Sequence, residues 1–205
     1  MPNIMFFDLE TTGLPVAKKG DKFNRYHHPS FLKYYDRARV VSIAWQIYDS
    51  DTNKLISEGN HVVYPDNFVS HPRALEVHGI TDEYAKMYGK NITDIFDIFR
   101  KELKTVDTIS GFNVKFDYNV LLSECYRYGD QDIISKFHKI PVVCTQKLAT
   151  RILKDVSYAK YKLFPKLEEV YRYLFNLQNF NTSHDALDDT RRCADIYFKL
   201  REYNE

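Results

Sequence analysis

Little in this sequence points to a membrane, an oxidising compartment or a strong overall field. No apolar run approaches the ~20 residues that span a bilayer, and the N-terminus lacks the basic region and cleavage site of a signal peptide. Cysteine is scarce, with three widely separated residues, Cys125, Cys144 and Cys193, giving neither a disulfide framework nor a zinc-binding spacing. Their apolar surroundings predict buried free thiols and hence an intracellular setting, cytoplasmic or nucleoid/nuclear. Lys and Arg number 29 against 28 Asp and Glu, so the net charge of +1 leaves any site for a polyanion to a local patch. There is no internal repeat and no low-complexity linker. What is present, 205 residues with 44% hydrophobic and 15% aromatic content, suits one α/β domain over 1–205.

The pattern along the chain is that of a mixed sheet covered by helices. Residues 3–9 form a continuous apolar run ending at Thr-Thr-Gly and read as a central strand. Residues 40–48 read as a second strand and 61–64 as a third, with Asp49-Ser-Asp-Thr-Asn53 as a hairpin loop. Helical spacing marks 92–104, a short strand follows at 107–110, and 114–128 is helical. A strand at 141–144 and helices near 145–153, 165–176 and 184–202 complete the order.

Four carboxylates stand where this pattern calls for apolar side chains. Asp8 and Glu10 interrupt the first strand, and being two residues apart they share a face at its end. Asp117 interrupts the stripe Val114, Leu121, Cys125, and Asp189 interrupts Ala186, Cys193, Ile196, Leu200. Burying an isolated carboxylate costs several kcal/mol, so converging carboxylates without matching basic residues call for divalent cations. Helical phase separates the adjacent aspartates. Asp188 shares its side with Arg191, Arg192 and Asp195 and reads as solvated, whereas Asp189 reads as a ligand. His184 opens the last helix after the N-cap candidates Asn181-Thr-Ser183, which suits a general base beside a metal ligand.

These segments resemble the three motifs of the DEDD superfamily of 3′–5′ exonucleases, in particular the histidine subclass that includes the proofreading epsilon subunit of bacterial DNA polymerase III. Phe7-Asp-Leu-Glu-Thr-Thr-Gly13 is similar to the first motif, Gly111-Phe-Asn-Val-Lys-Phe-Asp117 to the second, and His184-Asp-Ala-Leu-Asp-Asp189 to the third. The tyrosine subclass would carry a tyrosine four residues before the last aspartate, where this chain has Asp185. Val77-His-Gly-Ile-Thr-Asp-Glu83 is similar to the family's segment beside the substrate nucleotide. The resemblance implies a ribonuclease-H-like α/β fold with a five-stranded mixed sheet flanked by helices. It makes Asp8, Glu10, Asp117 and Asp189 ligands of two Mg²⁺ or Mn²⁺ ions and His184 the general base. Thr11, Leu14, Asn113, Phe116 and the turn His78, Gly79, Ile80 would line the pocket for the 3′-terminal nucleotide. Two such ions about 3.5–4 Å apart clamp a scissile phosphate, and hard oxygen ligands suit them. The implied reaction is release of nucleoside 5′-monophosphates from single-stranded DNA or frayed 3′ ends, with a separate polymerase as a possible partner and no membrane.

One stretch departs from a compact version of this plan. Residues 14–39 form a long insertion holding Lys18, Lys19, Lys22, Arg25, Lys33, Arg37 and Arg39 among Phe23, Tyr26, Phe31, Tyr34 and Tyr35. Such a mixture tracks phosphates and stacks bases, or else packs its aromatics on the sheet. The basic stretch 151–166 reads as a solvated face. Gln131 to Phe137 faintly resembles a sliding-clamp-binding peptide, although helix-end packing explains the same residues. An exoribonuclease is the alternative within the enzyme class, since these motifs do not encode the response to a 2′-OH. A non-catalytic nucleic-acid-binding module is the alternative outside it, disfavoured because every acid and the histidine are present.

Overall fold

A computed structural model describes residues 2–20, 26–154, 164–178 and 185–203. Its centre is a five-stranded sheet of order β3-β2-β1-β4-β5. β1 (Asn3–Thr11), β2 (Val40–Asp49) and β3 (Lys54–Val62) form an antiparallel meander, while β4 (Thr108–Gly111) and β5 (Val142–Cys144) continue the sheet parallel to β1. The sheet is therefore mixed, and eight helices among the described residues flank it: α1 (Pro72–His78), α2 (Asp82–Tyr88), α3 (Ile92–Leu103), α4 (Lys115–Tyr128), α5 (Gln131–Lys139), α6 (Thr145–Ile152), α7 (Leu167–Leu174) and α8 (Ala186–Arg201). This is the expected ribonuclease-H-like α/β architecture.

Alternation along β1 explains the two layers. Met5, Phe7 and Leu9 point into the larger core with Phe96 and Phe99 of α3, Leu121 of α4 and Phe137 of α5. Ile4 and Phe6 point the other way, onto Cys193 and Ala194 of α8. A strand buried on both faces reads as a continuous apolar run, and that is how β1 was legible.

One expected strand needs correction, and two helices appear where none was expected. The third strand runs over Lys54–Val62 rather than beginning at 61. It is an edge strand, mostly exposed on both faces, so no apolar alternation marks it; its register is set by pairing to β2. Gly59 sits opposite Trp45, and a Cβ there would lie 2.2 Å from the indole ring, so the strand can pass under that ring only without a side chain. The unexpected helices are α1 and α2, seven residues each with one buried residue apiece, too short to show a period. Local chemistry makes them instead: His71 Nδ1 accepts from Arg73 N at 3.2 Å with Pro72 following, and Thr81 Oγ1 accepts from Tyr84 N at 3.1 Å. As expected, helix packing accounts for Gln131 to Phe137, which belong to α5 with Ile133, Ile134 and Phe137 buried in the core. Cys125 and Cys193 are buried free thiols as expected, whereas Cys144 is half-buried.

The 14–39 insertion belongs in part to the core. Tyr35 is fully buried and donates its hydroxyl to His27 O at 2.5 Å, and Tyr34 stacks on His27 with centroids 3.5 Å apart. Arg39 is buried too, forking onto Glu124 of α4. These contacts tie the insertion to the rest of the protein. Lys22, Phe23 and Arg25 lie outside the described residues, as does 155–163 of the second basic stretch.

Candidate active site

Because Asp8 and Glu10 follow Ile4 and Phe6 on one face of β1, they emerge towards α8. There the first turn of α8 presents Asp189, and one carboxylate oxygen from each of Asp8, Glu10 and Asp189 lies within 4.8 Å of the other two. The Asp189 side chain is 20% exposed, against 41% for Asp188. Asp188 pairs with Arg191 at 3.5 Å and Arg192 at 4.0 Å, on the charged side of the helix.

Asp117 reaches the same region from the other layer. It is buried in the first turn of α4, where the helix N-terminus favours negative charge. β1 is paired with β4 from Ile4 to Phe6 and then outruns it, and past that point the Leu9 backbone lies near enough to the Asp117 carboxylate to favour its charged form. Asp117 stands outside the three-carboxylate group but close enough for its charge to act on Asp8.

The electrostatics are those of carboxylates short of cations. Burial, then repulsion from Asp117, Glu10, Asp189 and Asp185, holds Asp8 well above the usual carboxylate range. Burial and the same neighbours push Glu10 up to about 8. Burial pushes Asp117 up to about 8 against the hydrogen bonds that stabilise its charge. Arg192 Nη1 donates to Asp189 Oδ1 at 3.1 Å. All-oxygen donors that resist ionising together fit divalent cations of the Mg²⁺ or Mn²⁺ type, which would restore full ionisation at neutral pH.

The residues expected to hold the terminal nucleotide stand on three segments, the end of β1, the end of α1 and the start of α4. Thr11 is buried and donates to Gly13 O at 2.8 Å, whereas Leu14 is 75% exposed. Thr12 O accepts from His71 N at 3.0 Å, bringing the start of α1 to the strand end. At the other end of α1, Gly79 adopts φ 70 to close the helix, and Ile80 N donates to His78 Nδ1 at 3.0 Å. That bond leaves the proton of neutral His78 on Nε2, which is buried without a partner, and burial lowers the histidine's pKa. Asn113, exposed, takes φ 60 ahead of α4, and the half-buried Phe116 ring lies 6.4 Å from Tyr26.

His184 and Asn181-Thr-Ser183 lie outside the described residues. The N-cap of α8 is Asp185, whose Oδ1 accepts from Leu187 N and Asp188 N at 3.0 and 3.1 Å, so the helix starts at Ala186 rather than 184. Neither the cap at Asp185 nor the partner of Arg192 was expected: helical phase puts Arg192 on the solvated side with Asp188, yet its side chain is 15% exposed and pairs with Asp189. Aspartate before an apolar-periodic run was the available signal for the first, and the i,i+3 spacing from Asp189 for the second.

A twisted mixed sheet with an acidic cluster at the end of its central strand defines a nuclease-type protein. A family model described as Exonuclease, RNase_T, matches residues 5–197, and the chain belongs to that exonuclease family within the DEDD superfamily. No curated protein matches. Among solved structures, cell-death related nuclease 4 (CRN-4) is similar with a TM-score of 0.68 and 14% identity, over 100% of this chain and 64% of that one. Exonuclease I of E. coli in complex with a dA16 oligonucleotide gives 0.67 and 20%, over 98% and 41%. Exonuclease I from Methylocaldum szegediense gives 0.68 and 18%, over 98% and 41%. The chain thus spans less than two thirds of these structures, and at such identities the likeness concerns the fold. Among the described residues no helix is long and apolar enough to cross a membrane.

Proposed function

We propose that the chain acts as a single metal-dependent 3′–5′ exonuclease domain of the histidine subclass, similar to the polymerase III epsilon subunit. It would remove nucleoside 5′-monophosphates from single-stranded DNA or frayed 3′ ends. The observation that carries this reading is the convergence of Asp8, Glu10 and Asp189, with Asp117 beside them, and the raised pKa values of Asp8, Glu10 and Asp117 that this crowding and their burial produce. Single-stranded DNA is the substrate proposed because the Exonuclease I structures of the same fold hold dA16 and dT13 oligonucleotides.

Asp8, Glu10, Asp117 and Asp189 would hold two divalent ions. When bound, such ions supply Lewis-acid charge to the attacking and leaving oxygens of an in-line displacement. Arg192 orients Asp189 through its ion pair. His184, five residues before Asp189, is assigned by the resemblance to take the proton from the attacking water. The His78–Ile80 turn, Thr11, Leu14, Asn113 and Phe116 would hold the terminal nucleotide, so that its phosphodiester lies against the carboxylates.

Digestion of matched 5′-labelled DNA and RNA oligonucleotides with Mg²⁺ tests the reading. A ladder shortening from the 3′ end, faster on DNA and abolished by EDTA or Asp8→Ala, is expected. Full activity in EDTA or in Asp8→Ala overturns it, and a faster ladder on RNA reassigns the substrate.

A further inference from the structure

Beside the acidic cluster lies a groove of about 710 Å³ bounded by the start of α4, the end of β5 and the first turn of α6. It sits at the C-terminal ends of the parallel strands β4 and β5, the usual ligand side of such strands. Among the described residues no carboxylate lines it. Lys115 and Lys147 contribute charge, Tyr26 and Phe164 aromatic surface, and Asn113 and Asn119 side-chain amides. In a chain of net charge +1 this is a locally positive wall. The groove is continuous with the proposed terminal-nucleotide pocket, because Asn113 belongs to both and Tyr26 meets Phe116. Asn113 takes φ 60, the left-handed region that asparagine tolerates, in the turn that leads into α4.

We propose that this groove binds the one or two nucleotides immediately upstream of the scissile linkage. Their bases would stack on Tyr26 and Phe164 and their phosphates meet Lys115 and Lys147. The combination of a charged wall with aromatic faces is what single-stranded nucleic acid requires, and the volume falls in the range of sites for small ligands rather than a duplex. The proposal rests on the exonuclease reading for the direction of the strand, and its test separates the two.

The probes are a 5′-fluorescein ten-mer of thymidylate and thymidine 5′-monophosphate, bound to the full chain in Ca²⁺, with Lys147→Ala, Phe164→Ala and, as a control on α3, Lys101→Ala. Phe164→Ala and Lys147→Ala should weaken the ten-mer by about ten-fold. Their effect on the mononucleotide, which has no upstream neighbour, should be at least five-fold smaller. For Lys147→Ala the slope of log affinity against log salt should fall by about 1, and Lys101→Ala should behave as wild type. Wild-type affinity for the ten-mer in both groove variants, or equal losses on the two probes, overturns the groove. The exonuclease reading is judged separately, by whether hydrolysis of the p-nitrophenyl ester of thymidine 5′-monophosphate in Mn²⁺ depends on Asp8. Loss of that dependence with the groove effects intact removes the activity and leaves the binding site.

Discussion

Arg39 and Glu124 form a forked ion pair out of water, with Nε 2.6 Å from Oε1 and Nη2 3.1 Å from Oε2. The pair fastens the start of β2 to α4, the helix whose first turn carries Asp117, and Glu124 Oε1 also accepts from Val40 N at 3.3 Å. Removing one partner of a buried pair strands the other charge. Arg39→Ala should therefore lower stability by about 3–5 kcal/mol, whereas replacing both partners with apolar residues of similar volume should be far milder. Urea unfolding of the single and double variants measures this. A loss below about 1 kcal/mol in Arg39→Ala would mean that the pair is not buried in solution.

The acidic cluster makes stability depend on pH in a set direction. Glu10 and Asp117 titrate near 8 in the folded protein, against about 4 for ordinary carboxylates. Between those values the folded chain binds more protons than the unfolded one, so the metal-free protein loses stability as pH rises from about 4 to 8. Asp8→Asn removes repulsion and a buried charge, and should raise the melting temperature in EDTA at pH 8 by on the order of 5 °C, with a smaller gain at pH 5. Scanning calorimetry at the two pH values decides; equal gains at both would sink the electrostatic account.

Added Mn²⁺ should raise the melting temperature of the wild type more at pH 8 than at pH 5, since the ligands must be deprotonated to bind. Asp8→Asn should lose most of that shift. A metal-induced shift that is the same size in Asp8→Asn would place the ion elsewhere.

The adjacent aspartates of α8 should behave as opposites. Asp189→Asn keeps the shape but removes a charge from the cluster, and should weaken metal binding, moving any residual activity to higher Mg²⁺, and nearly abolish cleavage. Asp188→Asn alters surface pairs with Arg191 and Arg192; such pairs are worth about 0–1 kcal/mol. It should keep activity within about a few-fold. Cleavage rate against Mg²⁺ concentration for both variants is the measurement, and the reverse assignment would mean that the helix is turned relative to the site.

His184→Ala should slow cleavage by roughly 10²- to 10⁴-fold and flatten the acidic limb of the pH–rate profile, as expected on losing a general base. An unchanged profile would exclude the role.

What the sequence revealed follows from how each element is stabilised. β1, β2, α3 and α8 bury long apolar stretches, so periodicity shows them, and the same periodicity separates Asp189 from Asp188. β3, α1 and α2 bury little and are fixed by a partner strand or by caps, which leave no period to read. Arg39 looked like part of a basic loop because its partner lies 85 residues away. A clue existed: Glu124 falls on the same apolar side of α4 as Leu121 and Cys125, the pattern that singled out Asp117.

Because β1 is bonded to β2 along its length and to β4 over its first half, the peptide carrying Asp8 and Glu10 sits in the part of the molecule that opens last. The site then has a wall bonded along both sides of β1, and two formed by the first turns of α4 and α8, where helix N-terminal amides have no partner within the helix. Any widening that lets a product leave falls to those helix starts rather than to the sheet. Amide hydrogen exchange with and without a bound mononucleotide should register the difference. Protection should change around 113–117 and 185–189 on a timescale of minutes, while 4–9 stays closed until the whole chain unfolds.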